Sequence, residues 1–254
     1  MSRISAAQRA KSSIVAEQEI MRFAQPDPVT GIKPHALWHK YVHNVELDPI
    51  QVLKMQEMDD HRDTVDFSCR RTGKTAVKEM HILEELATTP YQECGIVAPR
   101  MQQSQNNLNY HIDAIRRSPM LGAFIAHKQG RPQLKDMAYQ FVNGSKASAY
   151  GIMSQIDGDS ITLASLEETD DMPQDRLLSR FLPMLGAARR LGVDRKETEF
   201  RPKVRISGVY KGADVLQSLI ATGGYHQLPA VDVHLGVALG MVDPHWAASM
   251  QAQL

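Results

Sequence analysis

Apolar and polar positions divide the chain into a helical lead-in followed by alternating strands and helices. From about Ala6 to Phe23, Ile14, Val15, Ile20 and Met21 recur among polar residues at helical spacing, and "QPDPVTGIKP" then interrupts the pattern. Asp48 and Pro49 suit the N-cap and first position of a second helix running through "IQVLKMQEM". "DTVDFSC" predicts a strand, and the following "GKTAVKEMHILEELATT" carries Val77, Met80, Ile82, Leu83 and Leu86 on the face of a helix packed against a sheet. "ECGIVAP" predicts the next strand and "QQSQNNLNYHIDAIRRS" the next helix. This βαβ rhythm implies a parallel sheet with right-handed crossovers. "AYQFVNGSKASAYGI" predicts a hairpin turning at Asn143-Gly144, either an insertion or a sheet edge. "SITLASLEETDDMP" reads as a strand ending in acids, "KVRISGV" as a strand leading to the helix "ADVLQSLIATGG", and "DPHWAASMQAQL" as a last helix. The fold class is α/β, a mainly parallel central sheet flanked by helices, with an N-terminal helical appendage.

Composition narrows the picture only slightly. The 254 residues, 43% hydrophobic and 23% charged, fit one large domain or one domain with an appendage. Zero formal net charge means that any nucleic-acid contact must come from a local basic surface. The region Arg176 to Arg205 supplies one candidate, with Arg180, Arg189, Arg190, Arg195, Lys196, Arg201 and Lys203 against Asp194, Glu197 and Glu199. A solvated surface explains it equally well. Cys69 and Cys94 are too few for a disulfide framework, and no secretory signal or membrane span is read. The histidines show no metal-ligand spacing, and Trp38, His43, Met55 and Met58 are read as packing residues.

Candidate chemistry begins at "FSCRRTGKTAV". Gly73-Lys74-Thr75 between a strand and a helix matches the end of a P-loop (Walker A), whose backbone N–H groups cradle phosphates, the plain alternative being a turn glycine before an ordinary helix. Lys74 would reach the β- and γ-phosphates and Thr75 would ligate Mg²⁺. Ser68 stands where the first glycine belongs, followed by Cys69, Arg70, Arg71 and Thr72. Arginines beside Cys69 would lower its thiol pKa, although a small filler residue is the commoner role. About ninety residues on, Glu167 and Glu168 follow the strand "ITLAS", one as the Mg²⁺ carboxylate and the other to orient or deprotonate water. A solvated acidic turn with Asp170 and Asp171 is the plain alternative.

Taken in order, these motifs resemble the ATPase domain of the large terminase subunit, the DNA-packaging motor of tailed bacteriophages. Arg70-Arg71-Thr72-Gly73-Lys74-Thr75 is similar to the variant R-x-x-G-K-T loop of that family, which implies that Arg70 reaches the γ-phosphate. Leu47-Asp48-Pro49-Ile50-Gln51 resembles its adenine motif, with Gln51 on the base. "GIVAPRMQQSQ", "FVNGSKASAYG" and "EETDDM" resemble the segments that follow, with Glu168 in the catalytic position. Ser207-Gly208 is similar to the motif coupling hydrolysis to movement. The resemblance covers about residues 45 to 215 and departs from the pattern at Ser68 and Glu167.

The resemblance implies an appendage or lid over residues 1–45 and an ATPase domain over 46–254. It also implies ATP and Mg²⁺ as ligands, and double-stranded DNA, a portal protein and a small terminase subunit as partners. A homo-oligomeric ring on the procapsid follows from it, with a monomer compatible with an isolated domain; the implied location is the host bacterial cytoplasm, off any membrane. Large terminases usually carry a nuclease domain after the ATPase; the chain ends near its expected start, so no DNA cleavage is expected. The alternatives are a helicase-like ATPase and a non-catalytic DNA-binding scaffold with a degenerate nucleotide fold.

Overall fold

A computed structural model describes residues 5–154, 160–186, 189–191, 198–209 and 215–251. Helix α1 (Ala6–Ala24) starts at a capping box in which Ser5 and Gln8 exchange backbone-to-side-chain hydrogen bonds. Helix α2 (His35–Trp38) continues into a wider π-type turn over His39–His43, which ends at Asn44 in the left-handed conformation. Helix α3 (Pro49–Asp60) takes Asp48 as N-cap, and Gln51 Oε1 accepts the Asp48 N–H at 2.9 Å. Strand β1 (Asp63–Asp66) ends three residues earlier than "DTVDFSC" predicts, because Phe67, Ser68 and Cys69 already belong to the loop.

The alternation then follows the predicted order. Helix α4 (Lys74–Thr88), strand β2 (Glu93–Ala98), helix α5 (Met101–Arg117) and the short α6 (Pro119–Ala123) come first. Two-residue strands β3 (His127–Lys128), β4 (Arg131–Pro132) and β5 (Leu134–Lys135) lead to the hairpin β6 (Ala138–Gln140) and β7 (Lys146–Gly151). Its turn passes through Gly144 at φ 86°, a conformation open to glycine. Strand β8 (Leu163–Glu167) precedes a run of helical turns that includes α7 (Gln174–Arg176). Strands β9 (Arg189–Leu191), β10 (Thr198–Phe200) and β11 (Lys203–Ser207) are followed by α8 (Val215–Ala221), β12 (His226–Gln227), α9 (Val233–Ala238) and α10 (Pro244–Gln251).

Eight strands form one sheet in the order β12-β1-β11-β8-β2-β7-β6-β5. The first six run parallel, β6 adds antiparallel to β7 and β5 antiparallel to β6, so the hairpin is a sheet edge. Strand β11 stands between β1, which feeds the loop, and β8, which carries the acids. One core cluster joins Ile82, Leu83, Leu86, Ile96 and Leu108 to Ile20, Trp38 and Val42 of the N-terminal segment; Met55 and Met58 pack in another with Val77.

The sequence pattern gives α4 one apolar face, yet the helix is buried nearly all round. Its outer side is covered by the N-terminal segment and α3, so its charged residues need internal partners. They have them: Glu84 meets His35 Nδ1 at 2.9 Å and His39 Nε2 at 3.1 Å, Glu85 pairs with Lys203 at 2.6 Å, and His81 meets Asp59 at 2.9 Å. Within the basic region, therefore, Lys203 is committed to Glu85. Arg205 is fully buried, donating to the carbonyls of Met58, His61 and Arg62 at the end of α3. Arg195 and Lys196 lie outside the described residues.

Candidate active site

Sheet register brings the candidate residues to one edge. Asp66 is level with Ser207, and Ser207 with Glu167, so the loop, Ser207-Gly208 and the acids meet at the C-terminal ends of parallel strands. Ligands bind at this edge in open α/β sheets. Ser68, in place of the usual glycine, is buried and anchors the base of the loop. Its N–H donates to Asp66 Oδ1 at 2.8 Å, while its Oγ accepts from Lys54 Nζ at 2.7 Å and from the Val231 N–H at 2.9 Å. Lys54 completes the arrangement with a 2.6 Å contact to Asp66 Oδ2, and the Cys69 N–H donates to the Val231 carbonyl at 2.8 Å. Positive φ is confined in the loop to Arg71 (70°) and Gly73 (73°), so Ser68 needs no glycine conformation.

A cavity of about 420 Å³ opens above the loop, lined by Arg70, Arg71, Gly73, Lys74, Thr75, Tyr110, Glu167, Glu168, Asp170 and Gly208 among others. Lys74 Nζ donates to the Ser68 carbonyl at 2.9 Å, and burial lowers its pKa against the pull of Glu167 and Asp66. Arg70 is exposed at the wall, whereas the Arg71 guanidinium lies 4.8 Å from the Trp246 ring centre. Cys69 is half-buried, and burial raises its thiol pKa rather than the arginines lowering it. The predicted activation of that thiol is thereby corrected.

Glu167 uses its two oxygens differently. Oε1 accepts from Thr75 Oγ1 at 3.1 Å on the cavity side; Oε2 faces Lys78 Nζ at 3.0 Å, Asn107 Nδ2 at 3.5 Å and the Ser207 hydroxyl. Burial by itself would depress the Lys78 pKa, but Glu167 and Glu79 outweigh it and hold the ammonium above its ordinary value. Glu79, completely buried, is in turn held ionised by Lys78, His111 at 3.1 Å and Ser165 at 2.6 Å, which outweigh its own desolvation. Glu168 sits in the left-handed region at φ 49°, its N–H donating to Ser207 O at 3.1 Å and its Oε2 accepting from Gln103 Nε2 at 2.7 Å. A non-glycine residue there carries roughly 1 kcal/mol or more of strain, a cost tolerated where a side chain must be aimed.

The fold thus assembles Arg70, Arg71, Gly73, Lys74, Thr75, Glu167, Glu168 and Gly208 around one cavity, with Ser207 immediately behind Glu167. Ser68, Cys69 and Thr72 build the loop from beneath, the Thr72 hydroxyl donating to Cys69 O at 2.8 Å. Gln51 is outside the cavity wall but beside it, since a methyl on Gly73 would stand 3.8 Å from Gln51 Nε2. Sequence reasoning missed Lys54, Lys78, Gln103 and Trp246. Lys54 carried a signal: it lies three residues after Gln51 and four before Met58, on the buried face of α3.

No family profile matches the sequence, and no curated protein matches it. Solved structures do. The chain superimposes on the large terminase of bacteriophage HK97 with a TM-score of 0.54 and 17% identity over 85% of its length, spanning 43% of that protein. The ATPase domain of the Thermus phage P74-26 large terminase gives a TM-score of 0.57 at 13% identity, covering 76% of this chain and 84% of the other. The large terminase of a thermophilic bacteriophage, in complex with ATP-gamma-S, gives 0.54 at 12% identity, covering 80% of this chain and 48% of that one. With its mostly parallel sheet, loop and flanking helices, the chain has a P-loop NTPase fold similar to that of phage large terminase ATPase domains.

Proposed function

We propose that this chain is the ATPase motor domain of a viral terminase large subunit, hydrolysing ATP to drive double-stranded DNA into a procapsid. One observation carries the reading: a single cavity is lined by Arg70, Lys74 and Thr75 on one side and by Glu167 and Glu168 on the other. The backbone at Gly73 and the start of α4 would receive the phosphates, with Lys74 and Arg70 neutralising the γ-phosphate and Gln51 facing the base. Mg²⁺ fits the oxygens present, because Thr75 Oγ1 and Glu167 Oε1 are 3.1 Å apart, near the roughly 2.9 Å edge of its ligand octahedron. Bound there, it would supply positive charge to the β- and γ-phosphates.

Glu168, aimed by Gln103 and by its left-handed backbone, orients the attacking water and accepts its proton. Ser207 touches both acids and Gly208 lines the same cavity, so a change at Glu167 or Glu168 reaches β11, the route proposed for coupling to movement. In this reading residues 46–254 are the ATPase unit and 1–45 its helical appendage. A homo-oligomeric ring, with a portal protein and a small terminase subunit as partners, belongs to the same proposal, as does the host cytoplasm as its place of action. ATP turnover with Mg²⁺ and duplex DNA tests it. Lys74→Ala is expected to abolish turnover, and Glu168→Gln to lower it about 10²- to 10⁴-fold while nucleotide binding persists. A wild-type chain that neither binds nor hydrolyses ATP under these conditions would overturn the reading.

A further inference from the structure

Away from the cavity, at the opposite edge strand of the parallel sheet, the fold brings together three metal-type ligands that sequence spacing had not suggested. Glu57 is one turn from the end of α3, His61 is the residue at which that helix ends, and His226 lies on β12. One ligand atom from each lies within 4.8 Å of the others. His226 Nε2 is 2.6 Å from Glu57 Oε2, and His61 Nε2 is 3.7 Å from the same oxygen. The two imidazoles are stacked, with centres 3.5 Å apart and planes 8° from parallel.

The 3.7 Å separation is too long for a hydrogen bond, so none to Glu57 holds the His61 ring nitrogen where it is. Four ligands around a zinc-class ion at about 2.0–2.1 Å stand roughly 3.3 Å from one another, and the two measured separations bracket that value. Bringing both nitrogen lone pairs onto one point requires one ring to leave the parallel stack. His61, with 42% of its side chain exposed, has room to turn. The backbone beneath is held firmly. The buried Arg205 guanidinium donates to the Met58, His61 and Arg62 carbonyls, and β12 is registered on β1 through Thr64↔His226. Two imidazoles and one carboxylate favour Zn²⁺, Co²⁺, Ni²⁺ or Cu²⁺ over Mg²⁺ or Ca²⁺, and the partial exposure of all three leaves a fourth position for water.

We propose that Glu57, His61 and His226 form a zinc-class metal site that ties the edge strand β12 to the end of α3. The tie has a direct route to the phosphate loop: five residues after His226, Val231 exchanges hydrogen bonds with Ser68 and Cys69. This site is separate from the Thr75 and Glu167 oxygens proposed for Mg²⁺, and the inference does not rest on ATP turnover.

The test uses the full chain, stripped with chelator, desalted and titrated with Co²⁺ in Mg²⁺-containing buffer. Visible absorbance reports coordination, and Zn²⁺ competition is followed by calorimetry. One saturating equivalent is expected. His61→Ala and His226→Ala should each weaken it at least tenfold, and Glu57→Gln should do so while preserving side-chain size. Zn²⁺ at a hundredfold excess over Kd should raise the wild-type Tm by roughly 5–10 °C, and leave the His61→Ala/His226→Ala double variant unmoved. Absence of saturable binding, or the same isotherm in the double variant, would overturn the assignment and leave a stacked histidine pair sharing a carboxylate.

Discussion

Restoring the glycine of a standard P-loop should damage this protein. Ser68→Gly removes the Oγ that accepts from Lys54 Nζ at 2.7 Å and from the Val231 N–H at 2.9 Å, both in a buried setting. A hydrogen bond from a charged donor contributes about 1.5–3 kcal/mol, and a buried N–H left without a partner costs about 1–3 kcal/mol. The added freedom of glycine in the unfolded chain costs a further 0.5–1 kcal/mol or so. Together these come to about 5 kcal/mol, a Tm loss of roughly 10–20 °C for a chain of this size. Ser68→Ala separates the contributions, since it keeps the backbone entropy and deletes the same two acceptor contacts; it should retain most of the loss. Thermal and urea unfolding of the purified chains measure both. A Ser68→Gly variant melting within about 2 °C of wild type would refute the argument, because the hydroxyl would then anchor nothing.

Two further predictions concern buried charge. Lys78→Met keeps the length of the side chain but leaves Glu167 and the buried Glu79 without their shared cation; urea unfolding should show a loss of about 3–5 kcal/mol, and adding Glu79→Gln should recover part of it. The second concerns pH. Burial alone would depress His35, but Asp59 and Glu84 outweigh it and raise its pKa from 6.5 to about 9. The resulting stabilisation is complete below pH 6.5 and is lost as pH rises through 9. His43, lowered to about 3 by burial, and Glu84, lowered to about 2 by His35 and His39 against its own desolvation, stay in one form across that interval. Wild type should therefore lose up to about 3 kcal/mol between pH 6.5 and 9, with a flatter profile in His35→Gln; equal slopes in the two proteins would remove His35 as the cause.

The sequence was informative wherever one short segment carries its own signal. The Asp48-Pro49 start, the strand-loop-helix around Gly73-Lys74-Thr75 and the Asn143-Gly144 turn depend on local backbone chemistry, and each is where the pattern puts it. What stayed hidden depends on contacts far apart in the chain. Strand β12 is two residues long, so His226 has no period to reveal it, and its hydrogen bond to Glu57 spans 169 residues. Trp38 and His43 are buried as read, but His35 and His39 of the same segment are buried too, because α4 supplies Glu84 to receive both. Lys78 and Glu79 look like a solvated helical pair until their contacts with β8 and α5 are known: Lys78 donates to the Leu166 carbonyl and Glu167, and Glu79 meets Ser165 and His111.

The same contacts bear on the departure at Glu167, whose side chain is one methylene longer than an aspartate. The extra methylene of Glu167 carries its carboxylate further from β8, and a free carboxylate there would be poorly aimed. Lys78, Asn107 and Ser207 all engage Oε2, which fixes the rotation of the group and leaves Oε1 toward Thr75 and the cavity. Lys78 can serve this purpose because it lies one helical turn beyond Lys74, facing the sheet, with its charge held by Glu79 beneath. Lys74 and Lys78 therefore have different surroundings: Lys74 lines the cavity, and Lys78 holds the acid opposite. The departure at Glu167 and the burial of Lys78 are one arrangement, in which Lys78 and Ser207 hold Oε2 and leave Oε1 toward Thr75.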